Sequence, residues 1–394
     1  MSAGLADQAI SSASNFLLLI VVARASTATQ FGAFATAQAV FLFVLGTTQA
    51  IVSESFIIRT NQESADAREA SVAAVGMAFL IGIGQLFIVV PLALCLSGTV
   101  GKLLLIFSLA TPFLLVQDTI RFIASGLGRP SAALRNDTLW LALVVPLLGY
   151  SAIMGLGPQT QLLMWASSGA LCGLIFCWTE KIYPSLKGGL PWALKHRDLT
   201  LRFAAEFGIT SGSSQIAAIM LAGVLGLPGL AALRANQLLY GPLNVLVNGT
   251  RIAALPPLVA LSPIERLRAW KRYRMALLIV TALYAAIVMA MPEILGKLLL
   301  GETWYAASDL RGLFAVQYIL LVLSTMYVTW LRAIPAPKSS LIVRCFFGLA
   351  TLTIPILCGS KWGVVGAAWG LSGALAVAVC AGSYFTTRHI KSVR

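Results

Sequence analysis

The residues of this chain that are able to do chemistry sit inside long apolar runs. Between Leu233 and Arg251, the residues Arg234, Gln237, Tyr240, Asn244, Asn248 and Arg251 recur every three or four positions. That spacing predicts one polar line along a continuous helix of about five turns. Leu238, Leu239, Leu243, Val245 and Leu246 cover much of the remaining surface. A charged side chain at mid-membrane costs roughly 3 kcal/mol or more, so such arginines face a bundle interior or a watery cavity. The chemistry expected of the line is recognition. A guanidinium fork matches phosphate oxygens in pairs, and amides hydrogen-bond hydroxyl groups.

Other apolar runs carry polar rows of their own. Asp7, Ser11, Ser14 and Asn15 share a face of the first run, and Gln38 and Gln49 mark the second. In the fourth run Gln117, Asp118, Arg121 and Ser125 cluster, with Asp118 and Arg121 one turn apart and able to pair. Glu206, Thr210, Ser213 and Ser214 mark the seventh run, and Gln317, Ser324 and Thr325 the tenth. Arg121 therefore joins Arg234 and Arg251 as a cation suited to an anionic ligand, with Gln38 and Asn15 as further binding candidates. Asp7, Asp118 and Glu206 are the candidate carriers of a driving ion or proton. The competing reading of each is a structural charge or a hydrogen bond that ties helices together.

The elements that must position these residues follow from composition. The chain has 394 residues, of which 58% are hydrophobic and 11% charged; a soluble domain carries about 25% charged residues. The expected class is an all-α polytopic membrane protein. The net charge of +14 has no soluble basic domain to carry it, so it is read as orienting the chain in its membrane and not as a nucleic-acid footprint. The six cysteines, Cys95, Cys172, Cys177, Cys345, Cys358 and Cys380, lack metal spacing and read as small buried hydrophobes. No metal, cofactor or catalytic residue is expected. The first apolar run has no positive region ahead of it and no small-residue cleavage site, so a removed signal peptide is not expected.

Windows of about 20 residues give about twelve transmembrane helices. They fall at 5–23, 31–56, 71–96, 103–124, 138–154 and 162–178, then at 203–225, 230–255, 275–291, 310–331, 341–357 and 362–385. With both termini cytoplasmic, 22 of the 28 lysines and arginines lie on the inside, Arg394 among them. Only Arg24, Lys102, Lys297, Arg311 and Lys361 fall outside, and Arg234 lies within a span. One missed span would scramble this separation.

The charged stretch from Glu180 to Asp198 divides the chain. The expected organisation is an amino-terminal six-helix lobe over 1–185, a cytoplasmic linker over 186–202 and a carboxy-terminal six-helix lobe over 203–394. The halves are weakly alike: DQAISSASN faces EFGITSGSSQ, and TAQAVFLFVLGTTQ faces ANQLLYGPLNVLVN, which pairs Gln38 with Gln237 and Gln49 with Asn248. Six spans per half make the repeats parallel.

At these residues the chain resembles a known family. ADQAISSASNFLLLIVVARASTATQFGAFATAQAV, followed by AIVSESFIIR, is similar to the opening of the polysaccharide-exporter and O-antigen flippase (Wzx-like) family. RANQLLYGPLNVLVNGTRIAALPPLVAL resembles that family's eighth span, and SGLGRPSAALRND its loop between spans four and five. The family belongs to the MOP (MATE-like) transporter superfamily of multidrug, oligosaccharidyl-lipid and polysaccharide exporters. The resemblance implies two six-helix lobes around a V-shaped cavity in a bacterial cytoplasmic membrane. It also implies a substrate, a polyprenyl-pyrophosphate-linked oligosaccharide moved from the inner to the outer leaflet of membrane lipid. A polysaccharide polymerase and glycosyltransferases of the same pathway are implied partners. Carried over by position, Arg234, Asn244, Asn248 and Arg251 line the cavity wall.

Three alternatives stand beside this expectation. The lipid II flippases of the superfamily typically have additional spans, for which this chain has no length. A multidrug exporter of the same superfamily would favour an acidic or apolar cavity for amphiphilic cations, against which the arginines speak. An integral-membrane glycosyltransferase or polysaccharide polymerase would need outward loops bearing carboxylates, and the longest outside segment, 292–309, offers only Glu293, Glu302 and Asp309. No Walker sequence is present, so coupling to an ion gradient, the membrane potential or the substrate gradient is expected rather than direct ATP use.

Overall fold

The computed structural model describes residues 2–60, 67–334 and 336–393; Arg394 lies outside them. Every described regular element is helical. This follows from the medium, because a backbone in lipid must satisfy its hydrogen bonds within its own segment. The chain forms two compact units, residues 1–215 and 216–394.

In the first unit the helices are α1 (Ser2–Ala25), α2 (Ala28–Thr48), α3 (Ser55–Thr60), α4 (Ala67–Cys95), α5 (Gly98–Gly126), α6 (Pro130–Ile153), α7 (Pro158–Glu180), α8 (Leu186–Lys195) and α9 (Arg197–Phe207). A π-helical turn, Gln49–Glu54, joins α2 to α3, and another, Gly208–Gly212, follows α9. The chain passes between units within α10 (Ser213–Leu239). The second unit continues with α11 (Gly241–Ala260), α12 (Pro263–Met289), α13 (Glu293–Leu300), α14 (Thr303–Ser308), α15 (Arg311–Ala333) and α16 (Pro337–Val393).

Ten helical stretches among the described residues are long and apolar enough to cross a membrane. Two of them are double. Gly226 takes φ 71°, a left-handed conformation that glycine alone adopts cheaply, and Pro228 follows it, so the stretch Arg197–Leu239 turns there. The stretch Lys338–Ile390 breaks at Trp362 and Gly363, where φ is 63°. With α1, whose apolar part is Ile10–Ala25, the layout agrees with an all-α polytopic fold of about ten to thirteen apolar helices.

The structure departs from the sequence expectations in four places. The helix expected to run unbroken through 233–251 ends at Leu239 and restarts at Gly241. Pro242 lacks the N–H that would bond the Leu238 carbonyl. The Leu243 N–H turns to the Tyr240 carbonyl, and the hydroxyl of Tyr284 donates to the Leu239 carbonyl left by this at 2.9 Å. Residues 186–202, expected as a linker, form α8 and the start of α9, and the first compact unit runs on to Gln215. Span five begins at Pro130, eight residues earlier than expected, because proline is tolerated at a helix start. Of the cysteines, Cys172 and Cys177 are buried, whereas Cys95 and Cys380 are exposed on surfaces long enough to meet lipid.

The first unit centres on α5, whose buried face runs from Leu114 to Ile120 without interruption. Phe41 stacks on Phe107 at 5.0 Å, and Trp140 leans on Trp165 at 5.1 Å. In the second unit Trp270 sits 5.3 Å from Trp330, and its indole N–H donates to the Met326 carbonyl. Two arginines cap helix ends there. Arg266 donates to the Leu258, Val259 and Leu261 carbonyls after α11, and Arg311 to Val288, Met289 and Met291 after α12. Both place a cation at the negative pole of a helix.

Candidate functional site

In the first unit, Arg121 of α5 stands inside a ring of three carboxylates. Its Nη1 lies 3.2 Å from Asp137 Oδ2, its Nη2 3.5 Å from Asp118 Oδ1 and its Nε 3.9 Å from Asp7 Oδ2. The guanidinium also donates to the Ser11 hydroxyl. All four charged side chains are almost covered; that of Asp137 is 1% exposed. Amides complete the ring. Gln49, the first residue of the π-helical turn, donates to Asp118 Oδ2 at 2.9 Å. Gln117 donates to Asn136 and to Asp137 Oδ1, and Asn136 in turn donates to the Cys172 carbonyl. Such π-helical turns recur at functional sites.

This geometry changes the expectation for Arg121. Three carboxylates surround one guanidinium, so no positive charge is left there to receive an anion. The cluster with every group ionised carries a formal charge of −2. Low-dielectric surroundings penalise that excess steeply, and protonation of one of the acids relieves it. Asp7 Oδ1 is buried and meets no donor among the described residues, and the Asp7 carboxyl lies within hydrogen-bonding reach of Asp137, so the two acids are placed to share such a proton. Asp137, which the sequence reading left out, is the most buried member. Its signal was present: Pro130 at the first helical position places Asn136 and Asp137 two turns into α6, not in a loop.

The second unit is built with the opposite sign. Residues 216–394 hold 16 of the 28 lysines and arginines but only four of the 14 acids. Those four, Glu265, Glu293, Glu302 and Asp309, are all exposed. Arg234 and Arg251 are half-buried in this unit. Arg234 donates to Gln237 Oε1 at 3.0 Å, and Asn244 donates to the Tyr318 hydroxyl at 2.8 Å. Asn248 is exposed.

Tyr240 leaves the polar line. It is fully buried, stacks on Tyr318 at 4.8 Å and donates its hydroxyl to the Arg311 carbonyl. The break at Leu239 turns it into the packing between α10, α11 and α15. Asn236, which the periodic reading skipped, is buried and donates to the Ala232 and Ala307 carbonyls. The line is thus two short pieces: Arg234 with Gln237 on α10, and Asn244, Asn248 and Arg251 on α11.

The remaining candidates lie in the first unit. Asn15 is exposed on α1 and donates to the Ser11 carbonyl, and Gln38 is half-buried on α2. Glu206 is half-buried on α9, and the Thr210 hydroxyl donates back to its carbonyl. Of the three acids read as ion carriers, the structure brings Asp7 and Asp118 together with Asp137.

No protein-family model matches the chain, and no curated protein matches it in sequence. Solved structures do match in fold. An inward-facing multidrug resistance MATE family transporter of the MOP superfamily aligns with a TM-score of 0.72 at 15% identity, over 99% of this chain and 100% of that one. The lipid II flippase MurJ in an inward closed conformation aligns with a TM-score of 0.71 at 12% identity, over 97% and 86%. A MOP superfamily transporter from Pyrococcus furiosus, described as having a binding pocket of reversed polarity that suggests a different function, aligns at 0.61 and 16% identity, over 99% and 94%. The chain carries many helices long and apolar enough to cross a membrane, and its fold is similar to that of these structures of MOP-superfamily transporters.

Proposed function

We propose that this protein is a lipid-linked oligosaccharide flippase, moving polyprenyl-pyrophosphate-linked sugars from the inner to the outer leaflet by alternating access. The observation that carries this reading is the sign of the second unit. Arg234, beside the Gln237 amide, and Arg251 are half-buried in a unit whose four acids are all exposed. A pyrophosphate head group suits such a surface, because the guanidinium fork takes two phosphate oxygens at once. Gln237, Asn244 and Asn248 supply hydrogen bonds for sugar hydroxyls. The similarity to a lipid II flippase supports a lipid-linked cargo. The carboxylate ring of the first unit is the candidate seat of the driving proton or cation, with Asp7 and Asp137 as its carriers.

The test is flipping of lipid-linked oligosaccharide in reconstituted vesicles, normalised to folded protein. Arg234→Ala and Arg251→Ala should each slow it strongly, and Arg→Lys, which keeps the charge but not the fork, should slow it less. Wild-type rates in both Ala variants would sink the reading. A second reading, export of amphiphilic organic cations, is favoured by the excess of carboxylates around Arg121 and by the similarity to a multidrug transporter. The same vesicles distinguish the two: drug uptake that survives Arg234→Ala but not Asp7→Asn would select the exporter.

A further inference from the structure

The first unit holds a cavity that neither the transport reading nor the carboxylate ring uses. It lies between α3, the start of α4 and α8, and has a volume of about 510 Å³. Its charged lining is Arg59, Lys187 and Lys195 against Glu69, with Trp192 and His196 at its wall. The walls are fixed by close packing. A Cβ on Gly189 would meet the Met77 nitrogen at 2.6 Å, and one on Gly76 would strike the Ser185 carbonyl oxygen. The Ser185 N–H donates to the Val72 carbonyl, so α8 is held against the α4 backbone. His196 is buried and bonded through Nδ1 to the Trp192 carbonyl. Arg59 pairs with Asp198 through Nη2 at 2.8 Å, yet its Nε is buried with no hydrogen-bond partner among the described residues.

α8 also has a second face. Gly189, Trp192 and Ala193 are buried, while Leu186, Leu190 and Leu194, four residues apart, are each more than half exposed. Leucines repeating at that spacing beside lysines are the pattern of a helix lying in the membrane interface, apolar side in the acyl boundary and cations at the head groups. The cationic cavity thus opens beside a lipid-facing stripe.

We propose that this cavity is a head-group site for an anionic phospholipid of the leaflet on its own side of the membrane. The phosphate lies among Arg59 Nε, Lys187 and Lys195, and the acyl chains run along Leu186, Leu190 and Leu194. The leucine stripe selects a lipid over a free phosphate ester, and the excess of cations selects an anionic head group over a zwitterionic one. This site is independent of the substrate reading, and its test requires no transport.

The test uses the purified full chain in neutral detergent. Lipid retention is measured by native mass spectrometry during titration with dioleoyl phosphatidylglycerol, dioleoyl phosphatidylcholine or glycerol 3-phosphate. Phosphatidylglycerol should bind saturably, and phosphatidylcholine about tenfold more weakly or worse. Glycerol 3-phosphate at the same concentration should not displace it. Lys187→Gln with Lys195→Gln should weaken phosphatidylglycerol about tenfold or more, since each cation at a membrane surface contributes appreciably to anionic-lipid affinity. Both lysines are exposed, so the fold should persist, and the corresponding double Arg variant should restore binding. Arg268→Gln with Arg272→Gln removes equal charge from exposed positions of α12 and should leave the site within about twofold. Equal binding of phosphatidylcholine, or equal losses in both Gln pairs, would reduce the site to general surface charge and overturn the proposal. Displacement by glycerol 3-phosphate would overturn the choice of a lipid.

Discussion

Replacing Arg121 by methionine removes the one cation from a ring of three carboxylates while keeping most of the side-chain volume. At contact distances of 3.2, 3.5 and 3.9 Å the three attractions amount to about 5, 5 and 4 kcal/mol with an effective dielectric of about 20. Desolvation of four ions and repulsion among the carboxylates cancel most of that sum. What the variant exposes is the cost of leaving buried carboxylates uncompensated, about 3–5 kcal/mol. Asp137 is the most covered of them, so Asp137→Asn on the Arg121→Met background should recover about 1–3 kcal/mol, although Asp137→Asn alone is destabilising. Reversible unfolding in mixed micelles, followed by tryptophan fluorescence, reads both values. A cost below about 1 kcal/mol for Arg121→Met, or simple addition of the two substitutions, would refute the charge balance argued here. The same Arg121→Met protein should also bind anionic substrate head groups as before, since the guanidinium it lacks is already neutralised by three carboxylates in the native chain.

Three further outcomes follow from the geometry. Asp7→Asn and Asp137→Asn should each abolish the response of transport to an imposed proton or sodium gradient while leaving substrate binding nearly intact; parallel loss of binding and folding in both would assign the ring to structure. In a background lacking the exposed Cys95 and Cys380, cysteines at Ser97, Gly157 and Ser360 should react with an impermeant thiol reagent added outside, and those at Ser185 and Ser339 should not. Labelling of the latter in sealed cells would reverse the assigned topology; Ser64, a third expected inside position, lies outside the described residues. Gly189→Ala forces a Cβ against the α4 backbone, so α8 should detach locally, seen as faster proteolysis between α7 and α9, with a loss of about 1–3 kcal/mol; unchanged proteolysis would show that α8 is not held by that contact.

Much of the candidate site was legible in the chain, but unevenly. Asp118 and Arg121 pair because they are three residues apart on one helix, and helical spacing carries that information directly. Gln49 and Asp7 also stood out as polar groups in apolar runs, which lipid makes costly and therefore informative. Asp137 did not stand out, because it lies at the edge of a span, where a charge is cheap and unremarkable. The polar line was misjudged at Tyr240 for a different reason. Periodicity assumes an unbroken helix, and Gly241-Pro242 breaks this one, rotating a tyrosine of correct spacing into the core.

The sequence by itself determined the medium, the helical class, the approximate number and order of spans, and the unequal charge of the two halves. Each of these is local or additive: hydropathy over about 20 residues and counts of cations and acids suffice. Only the tertiary structure decided which side chains surround each arginine. Arg121 and Arg234 look alike in sequence, each an arginine in an apolar helix. α1 and α6 bring Asp7 and Asp137 to the first, from positions 114 residues before it and 16 residues after it. The other lies against Gln237 of its own helix. Whether a buried charge is compensated depends on neighbours from distant segments, and contact between helices, not spacing along one of them, supplies those neighbours.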